Sequence, residues 1–293
     1  MVNQRRNGFS MIEMLVVVSI VVVLATILLP SFTAARMRAR YVRWAGFSKN
    51  LRTDQRAFIY YNFENQGSGG VLWNQSTGEP YKVAQKAAAL PEHFNARFME
   101  DDTNVHSNPD ALWVDGRWRG KGAIEFNGVN EWLRANFHQD ARIRPEQFTM
   151  FLSIRPWAVD DQDGIIGMGT NLHNEPDGWY FRLRAGADYT LGANLKGDAD
   201  STENLELNEW TQATVTYDGD DIRWYIAGEQ TDVLSRPSMS FVNDYDNIAI
   251  GCDFPGTDEY FEGIMDELAI FDEALDPFEV EKLYQMGAAR VRE

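Results

Sequence analysis

Cysteine is all but missing from this chain. Cys252 is the only one in 293 residues, which rules out an intrachain disulfide and a cysteine-based metal centre. It follows the apolar stretch Ile248-Ala249-Ile250-Gly251, so a packed strand end is expected there rather than a nucleophile. Histidine is scarce as well. His93, His106, His138 and His173 are scattered, without the spacing of a metal site or a catalytic triad. Basic residues thin out after the first 56. Residues 57–293 hold 18 Lys/Arg against 42 Asp/Glu, a net −24, while residues 1–56 carry +7, giving −17 for the chain. An acidic region of that kind does not suit nucleic acid or an anionic membrane as a partner, and it keeps an exported domain soluble.

Long apolar character is confined to the start. Residues 9–29 are interrupted only by Ser10, Glu13, Ser19 and Thr26. As a helix this run is about 31 Å long, enough to cross a bilayer core. A secretory signal peptide has a shorter apolar core followed by an A-x-A-like cleavage site. Glu13 sits inside the run, where a carboxylate costs about 2.5–3.5 kcal/mol on insertion scales, and such residues are functional by default. Pro30 is expected to kink the helix. Ala34, Ala35 and Ala39 favour its continuation to about Arg56. Arg36, Arg38, Arg40 and Arg43 follow the apolar run, and suit either lipid headgroups, acidic neighbours or a solvated helix face. A large domain translocates largely regardless of charge, so the N-terminus is placed inside and the domain outside.

Gly8-Phe9-Ser10-Met11-Ile12-Glu13, preceded by Arg5 and Arg6, resembles the prepilin cleavage-methylation motif of type IV pilins and type II secretion pseudopilins. The resemblance implies that a prepilin peptidase cuts between Gly8 and Phe9 and that the new N-terminus is methylated. It also implies that Glu13 meets the N-terminal amine of a neighbouring subunit, recovering part of the cost of burying its carboxylate. The implied partners are other pilin or pseudopilin subunits and an inner-membrane assembly platform.

The rest reads as β structure. Phe58-Ile59-Tyr60-Tyr61-Asn62-Phe63-Glu64 is a strand-like run. Phe148, Met150, Leu152 and Ile154 alternate with Thr149, Phe151 and Ser153, and similar alternation recurs around Phe181, Val215 and Trp224. Asp218-Gly219-Asp220 and Ala227-Gly228-Glu229 read as hairpin turns. Many short alternating strands predict a β-sandwich. A short helix is expected at 82–90. A last helix is expected after Asp276, with Pro277 at its first position, Glu279 completing a capping box, and Gly287 as the C-terminal cap. Phe278, Leu283 and Tyr284 are expected to pack on the sandwich.

Trp113-Val114-Asp115-Gly116-Arg117, residues 123–133, Asn208-Glu209-Trp210-Thr211, residues 224–229 and residues 263–272 resemble, in order, the concanavalin A-like, laminin G-type jelly roll. The expected fold is therefore mainly β with a long N-terminal helix. Residues 1–8 form a leader, 9–56 the transmembrane and extended helix, 57–287 the jelly roll with an insertion at 70–110, and 288–293 a tail. The glycosidase pattern E-x-D-x-E found in some relatives is not present. Asp266 and Glu267 are adjacent strand residues expected to point to opposite faces, unable to form a two-carboxylate site. No enzyme activity is expected. Calcium is the candidate cofactor, since oxygen ligands at loop ends suit it. The resemblance suggests a rim set, Asp177, Asp253 and Asp258, or a structural set, Glu64, Asn127 and Asp266. Exposed aromatics such as Trp118 or Trp157 beside a groove would favour glycan binding.

The expected function is a structural subunit of a type IV pilus or type II secretion-like pseudopilus that displays a recognition domain. The alternative is a membrane-tethered or pilus-tip adhesin whose main role is glycan or protein binding. The expected location is the bacterial inner membrane, single-pass, with the domain periplasmic or extracellular and on a surface filament once assembled.

Overall fold

The computed structural model describes residues 11–64, 71–72, 75, 95–100, 104–118, 121–136, 146–160, 162–168, 179–185, 189–194, 199–236, 247–253 and 259–287. The expected helix at 82–90, the cleavage pair Gly8 and Phe9, and the loop residues Asp177 and Asp258 lie outside the described residues. The chain divides into two compact units, with the boundary between Arg43 and Trp44.

Helix α1 spans Met11–Thr53 and continues through Pro30. In its part before Trp44, the apolar side chains of Met11, Ile12, Leu15, Val18, Val22 and others stand exposed. Ser19 Oγ donates to Leu15 O at 2.7 Å and Thr26 Oγ1 to Val23 O at 2.8 Å. The hydroxyls thus satisfy themselves on the helix's own carbonyls. Among the described residues no helix is long and apolar enough to cross a membrane; the sequence run 9–29 begins outside them.

The second unit is a sandwich of two antiparallel sheets. The first contains β1 (Ala57–Tyr61), β4 (Trp113–Asp115), β5 (Gly122–Asn127), β7 (Phe148–Pro156), β12 (Thr211–Tyr217), β13 (Asp221–Ile226), β14 (Glu229–Ser235) and β16 (Glu262–Phe271). Its order is β14-β13-β12-β7-β16-β5-β4. On its other edge β16 pairs β5 along its first half and β1 along its second. The second sheet contains β2 (Val71–Leu72), β3 (Ala96–Met99), β6 (Trp132–Asn136), β8 (Gln162–Met168), β9 (Trp179–Ala185), β10 (Tyr189–Asn194), β11 (Asn204–Leu205) and β15 (Asn247–Ile250), in the order β11-β10-β9-β8-β15-β6-β3-β2. Alternate residues face inward, as the period of two dictates. Phe148, Met150, Leu152 and Ile154 meet Phe181, Leu183, Val215 and Trp224 in the core between the sheets. Both expected hairpins form, joining β12 to β13 and β13 to β14.

The outer face of the first sheet is not exposed to water. Thr149, Phe151 and Ser153, the alternate residues of β7, are buried too. A helical layer covers them, made of α1 from Trp44 onward and of α2 (Pro277–Gly287). Trp44, Phe47 and Leu51 join Tyr60, Phe151, Tyr225, Phe271, Val280 and Leu283 in a second apolar cluster. The compact unit therefore begins at Trp44 rather than at Ala57. At about 1.5–3 kcal/mol per fully buried large apolar side chain, those three residues are a sizeable part of what stabilises a domain.

Helix α2 starts as expected. Glu279 N–H donates to Asp276 Oδ1 at 2.8 Å, and Asp276 N–H donates to Glu279 Oε2 at 3.1 Å. Two readings of this helix need correction. Phe278 is 72% exposed; Val280 and Leu283 are the apolar residues that turn inward. Gly287 is the helix's last residue, and its role is close approach, since a Cβ there would stand 2.9 Å from Phe47 Cζ. A smaller cluster of Met99, Trp132, Ala249, Cys252 and Tyr260 lies on the second sheet, with Cys252 packed as a buried thiol.

Candidate functional site

Among the described residues, a closely built polar arrangement is centred on Lys121. Gly116 N–H donates to Lys121 O at 2.7 Å, and Lys121 N–H to Trp118 O at 2.9 Å, closing the turn between β4 and β5. This turn aims the lysine into the layer between the first sheet and α1, where its side chain is 1% exposed. The ammonium contacts Asp266 Oδ1, lies 3.2 Å from Glu267 Oε1 and donates to Asn62 O at 2.9 Å. It also stands 5.5 Å from the Trp44 ring centre, over its face.

Asp266 and Glu267 do not point to opposite faces, contrary to the strand expectation. Met265 pairs with Ile154, Asp266 with Ser153, and Leu268 with Leu152, so Glu267 is an extra residue in β16. Its φ of 63° is left-handed, a conformation costly for a residue with a side chain. The bulge leaves Met265 and Leu268 facing the core and turns both carboxylates to the outer side. There Trp44 Nε1 donates to Glu267 Oε1 at 2.5 Å and Tyr60 OH to Glu267 Oε2 at 3.2 Å. Arg117 N–H donates to Asp266 Oδ2 at 3.3 Å. Burial pushes the Glu267 carboxyl up, and Lys121 pulls against that without cancelling it. Burial alone would lower the lysine; the carboxylates of Asp266 and Glu267 outweigh it and hold the ammonium above its ordinary value.

The structural calcium set is not assembled. Glu64 Oε1 accepts the Gly122 N–H at 2.6 Å, next to Lys121. Asp266 is taken up by Lys121 itself. Asn127 is elsewhere, at the β5–β6 hairpin, where its Oδ1 accepts the N–H groups of Val129, Asn130 and Glu131 at 2.9, 3.1 and 3.3 Å. The cation at Asp266 is the protein's own ammonium, whose charge also reaches Glu64 and pulls its carboxyl down against the upward push of burial.

Of the rim set, Asp253 is described. It is 1% exposed, and its backbone crosses β8 so closely that a Cβ on Gly164 would stand 1.8 Å from Asp253 N. Nearby, Asp163 is 4% exposed and accepts the Asp160 N–H at 3.3 Å. Burial, and after it the charges of Asp160, Glu262 and Glu259, push its carboxyl up to about 7, against the pull of the Asp160 N–H. Among the described residues no group of three or more His, Cys, Asp or Glu side chains is arranged to hold a metal. Trp118 is buried, with Arg117 over its ring at 5.7 Å. Trp157 is half-buried at the end of β7, its N–H donating to Glu262 O at 3.0 Å. Glu13 lies in the first turn of α1, exposed.

Sequence reasoning missed Lys121, Trp44 and Asp163. Lys121 stands between two glycines, a setting that reads as a turn and hides an inward side chain. Trp44 lies in a helix whose basic residues draw attention to solvent or lipid.

The two facing antiparallel sheets, with β16 paired to both β7 and β5, define a jelly-roll sandwich of the lectin type. The chain belongs to the concanavalin A-like lectin/glucanases superfamily, whose laminin G-type model matches residues 128–281, more than half of it. A second model, the prokaryotic N-terminal methylation motif, matches residues 3–29. Comparison with curated proteins yields no match. Among solved structures, domain 4 of AbnA, a GH43 extracellular arabinanase from Geobacillus stearothermophilus in complex with arabinotriose, is similar with a TM-score of 0.56 and 18% identity, covering 78% of this chain and 98% of that one. The botulinum neurotoxin serotype G binding domain has a TM-score of 0.53 and 16% identity, covering 80% of this chain and 51% of that one. The binding domain of Paraclostridial Mosquitocidal Protein 1 has a TM-score of 0.53 and 17% identity, with 80% and 52% covered. At these identities the likeness is one of fold.

Proposed function

We propose that the chain is a pilin-like subunit that carries a glycan-recognition domain out of the cytoplasm. The observation that carries this reading is the order of its parts: an N-terminal methylation motif at residues 3–29, then a concanavalin A-like domain. In this reading a prepilin peptidase removes residues 1–8. The apolar run 9–29 crosses the inner membrane with the domain outside, and Glu13 docks on the N-terminal amine of a neighbouring subunit in a type IV pilus or a pseudopilus. Glycan is the proposed ligand class because the arabinanase domain of the same fold is in complex with arabinotriose. Half-buried Trp157 beside the acidic rim is the aromatic surface best placed to stack on a sugar. The domain is proposed to bind rather than catalyse, since its adjacent acid pair, Asp266 and Glu267, is sealed beneath the helical layer. In the adhesin reading the chain is membrane-tethered or sits at a pilus tip, glycan or protein recognition is its main role, and the helix is the delivery device.

The test is sedimentation of sheared surface filaments from cells making the wild type or Glu13→Val. The wild type should be found in the filament fraction, and Glu13→Val should be cleaved and membrane-bound but depleted from it. Equal incorporation of both proteins would remove the role given to Glu13. Absence of the wild type from filaments, with a sugar bound on a glycan array, would favour the tethered adhesin.

A further inference from the structure

The cluster at Lys121 takes no part in the function proposed above, and its geometry suggests a chemistry of its own. We propose that Lys121 and Asp266 become joined by an amide bond between the lysine Nζ and the Asp266 side-chain carboxyl carbon, with Glu267 carrying the protons.

The parts of such a reaction stand together. Nζ is in contact with the Asp266 carboxyl, and both side chains are almost wholly excluded from water, at 1% and 0% exposure. Glu267 Oε1 stands 3.2 Å from the same Nζ, and the Trp44 and Tyr60 donors hold both its oxygens in place. The Arg117 N–H points at Asp266 Oδ2, where negative charge would develop on attack at the carbon. Trp44, Tyr60 and Trp118 close the site with aromatic surface. The bulge at Glu267, with its left-handed φ, is what brings both carboxyls to one amine. Costly backbone geometry at a cluster of reactive groups is a reason to look for function there.

The step balances without an outside reagent. The ammonium gives a proton to Glu267, whose carboxyl burial favours in its neutral form. The Nζ lone pair then forms a C–N bond to the Asp266 carbonyl carbon. The tetrahedral oxygen is held by the Arg117 N–H. Glu267 passes its first proton to the departing Asp266 oxygen, then takes the second amine proton and delivers it to the same oxygen; the C–O bond breaks with its electron pair on that oxygen, and one water leaves. Nothing is oxidised or reduced. An opposite pair of charges in a dry interior is replaced by a neutral amide, which removes their desolvation cost. Fixed contact between the groups replaces an encounter in solution and makes a slow condensation accessible. The bond would tie the start of β5 to the middle of β16, two neighbouring strands of the first sheet.

The test is the intact mass of the purified folded full chain, followed by a tryptic digest. The expected mass is one water below that of the sequence, with a branched peptide carrying Lys121 and Asp266 and no cleavage after Lys121. Glu267→Gln, checked for native circular dichroism, should recover the full mass. A folded wild-type chain at full mass, with normal cleavage after Lys121, would overturn the proposal. A Glu267→Gln chain still lighter by one water would overturn the role of Glu267. The outcome is independent of whether the chain assembles into filaments.

Discussion

Trp44→Phe tests whether the end of α1 belongs to the domain. The substitution keeps an aromatic ring in the cluster that holds Phe151 and Tyr225 but removes the indole N–H that donates to Glu267 Oε1 at 2.5 Å. A hydrogen bond to a charged group contributes about 1.5–3 kcal/mol, and a buried acceptor that loses its donor gives up that amount. Glu267 keeps Tyr60 and Lys121 as partners, so the lower half of that range applies to the hydrogen bond. The space left by the smaller ring adds roughly 1 kcal/mol. A total near 2–3 kcal/mol, with a urea m-value of about 3 kcal/mol/M, lowers the midpoint by somewhat under 1 M. The assay is urea unfolding of a fragment beginning at Tyr41, followed by circular dichroism. A double-mutant cycle with Glu267→Gln isolates the pair and should give a coupling of at least about 1 kcal/mol. A midpoint unchanged by Trp44→Phe, or a coupling near zero, refutes the reasoning.

Two further outcomes are expected. Asp163 titrates near 7 in the folded protein against an ordinary 3.8. Below that ordinary value both states hold the proton and no penalty exists; between about 4 and 7 only the unfolded chain releases it, so this group lowers stability progressively as pH rises and fully above 7. The full gap corresponds to an upper bound of about 4 kcal/mol. Asp163→Asn should therefore stabilise the domain at pH 8 and flatten its stability between pH 4 and 7; an unchanged pH profile in urea unfolding argues against the assignment. Calcium, if held by the rim carboxylates including Asp253, should raise the melting temperature, and Asp253→Ala should abolish the rise while Glu64→Ala leaves it intact. Loss of the rise in Glu64→Ala would return calcium to the Lys121 cluster.

Much of the fold was legible because it rests on local signals. The two hairpin turns, the Asp276–Glu279 capping box and the alternation of β7 are written within a few residues of each other, and the structure forms each of them. The helical layer was not legible. Whether Phe151 faces water or a helix depends on a segment about a hundred residues earlier in the chain, and alternation shows only that it faces away from Phe148. The same layer explains Phe278: the helix turns Val280 and Leu283 to the sheet, which leaves its first apolar residue outside. Asp266 and Glu267 were misread because the rule of opposite faces holds for a regular strand, and one inserted residue cancels it. Lys121 was invisible for a related reason. A lysine is nearly always exposed, and only two distant carboxylates make its burial affordable.

The central claim, that a prepilin-type N-terminus delivers this domain, is tested most directly by mass spectrometry of the mature N-terminus from a peptidase-competent host. The account predicts a chain that begins at Phe9, with its α-amino group methylated. Recovery of an intact Met1 terminus, or of a cut at any other bond, contradicts it.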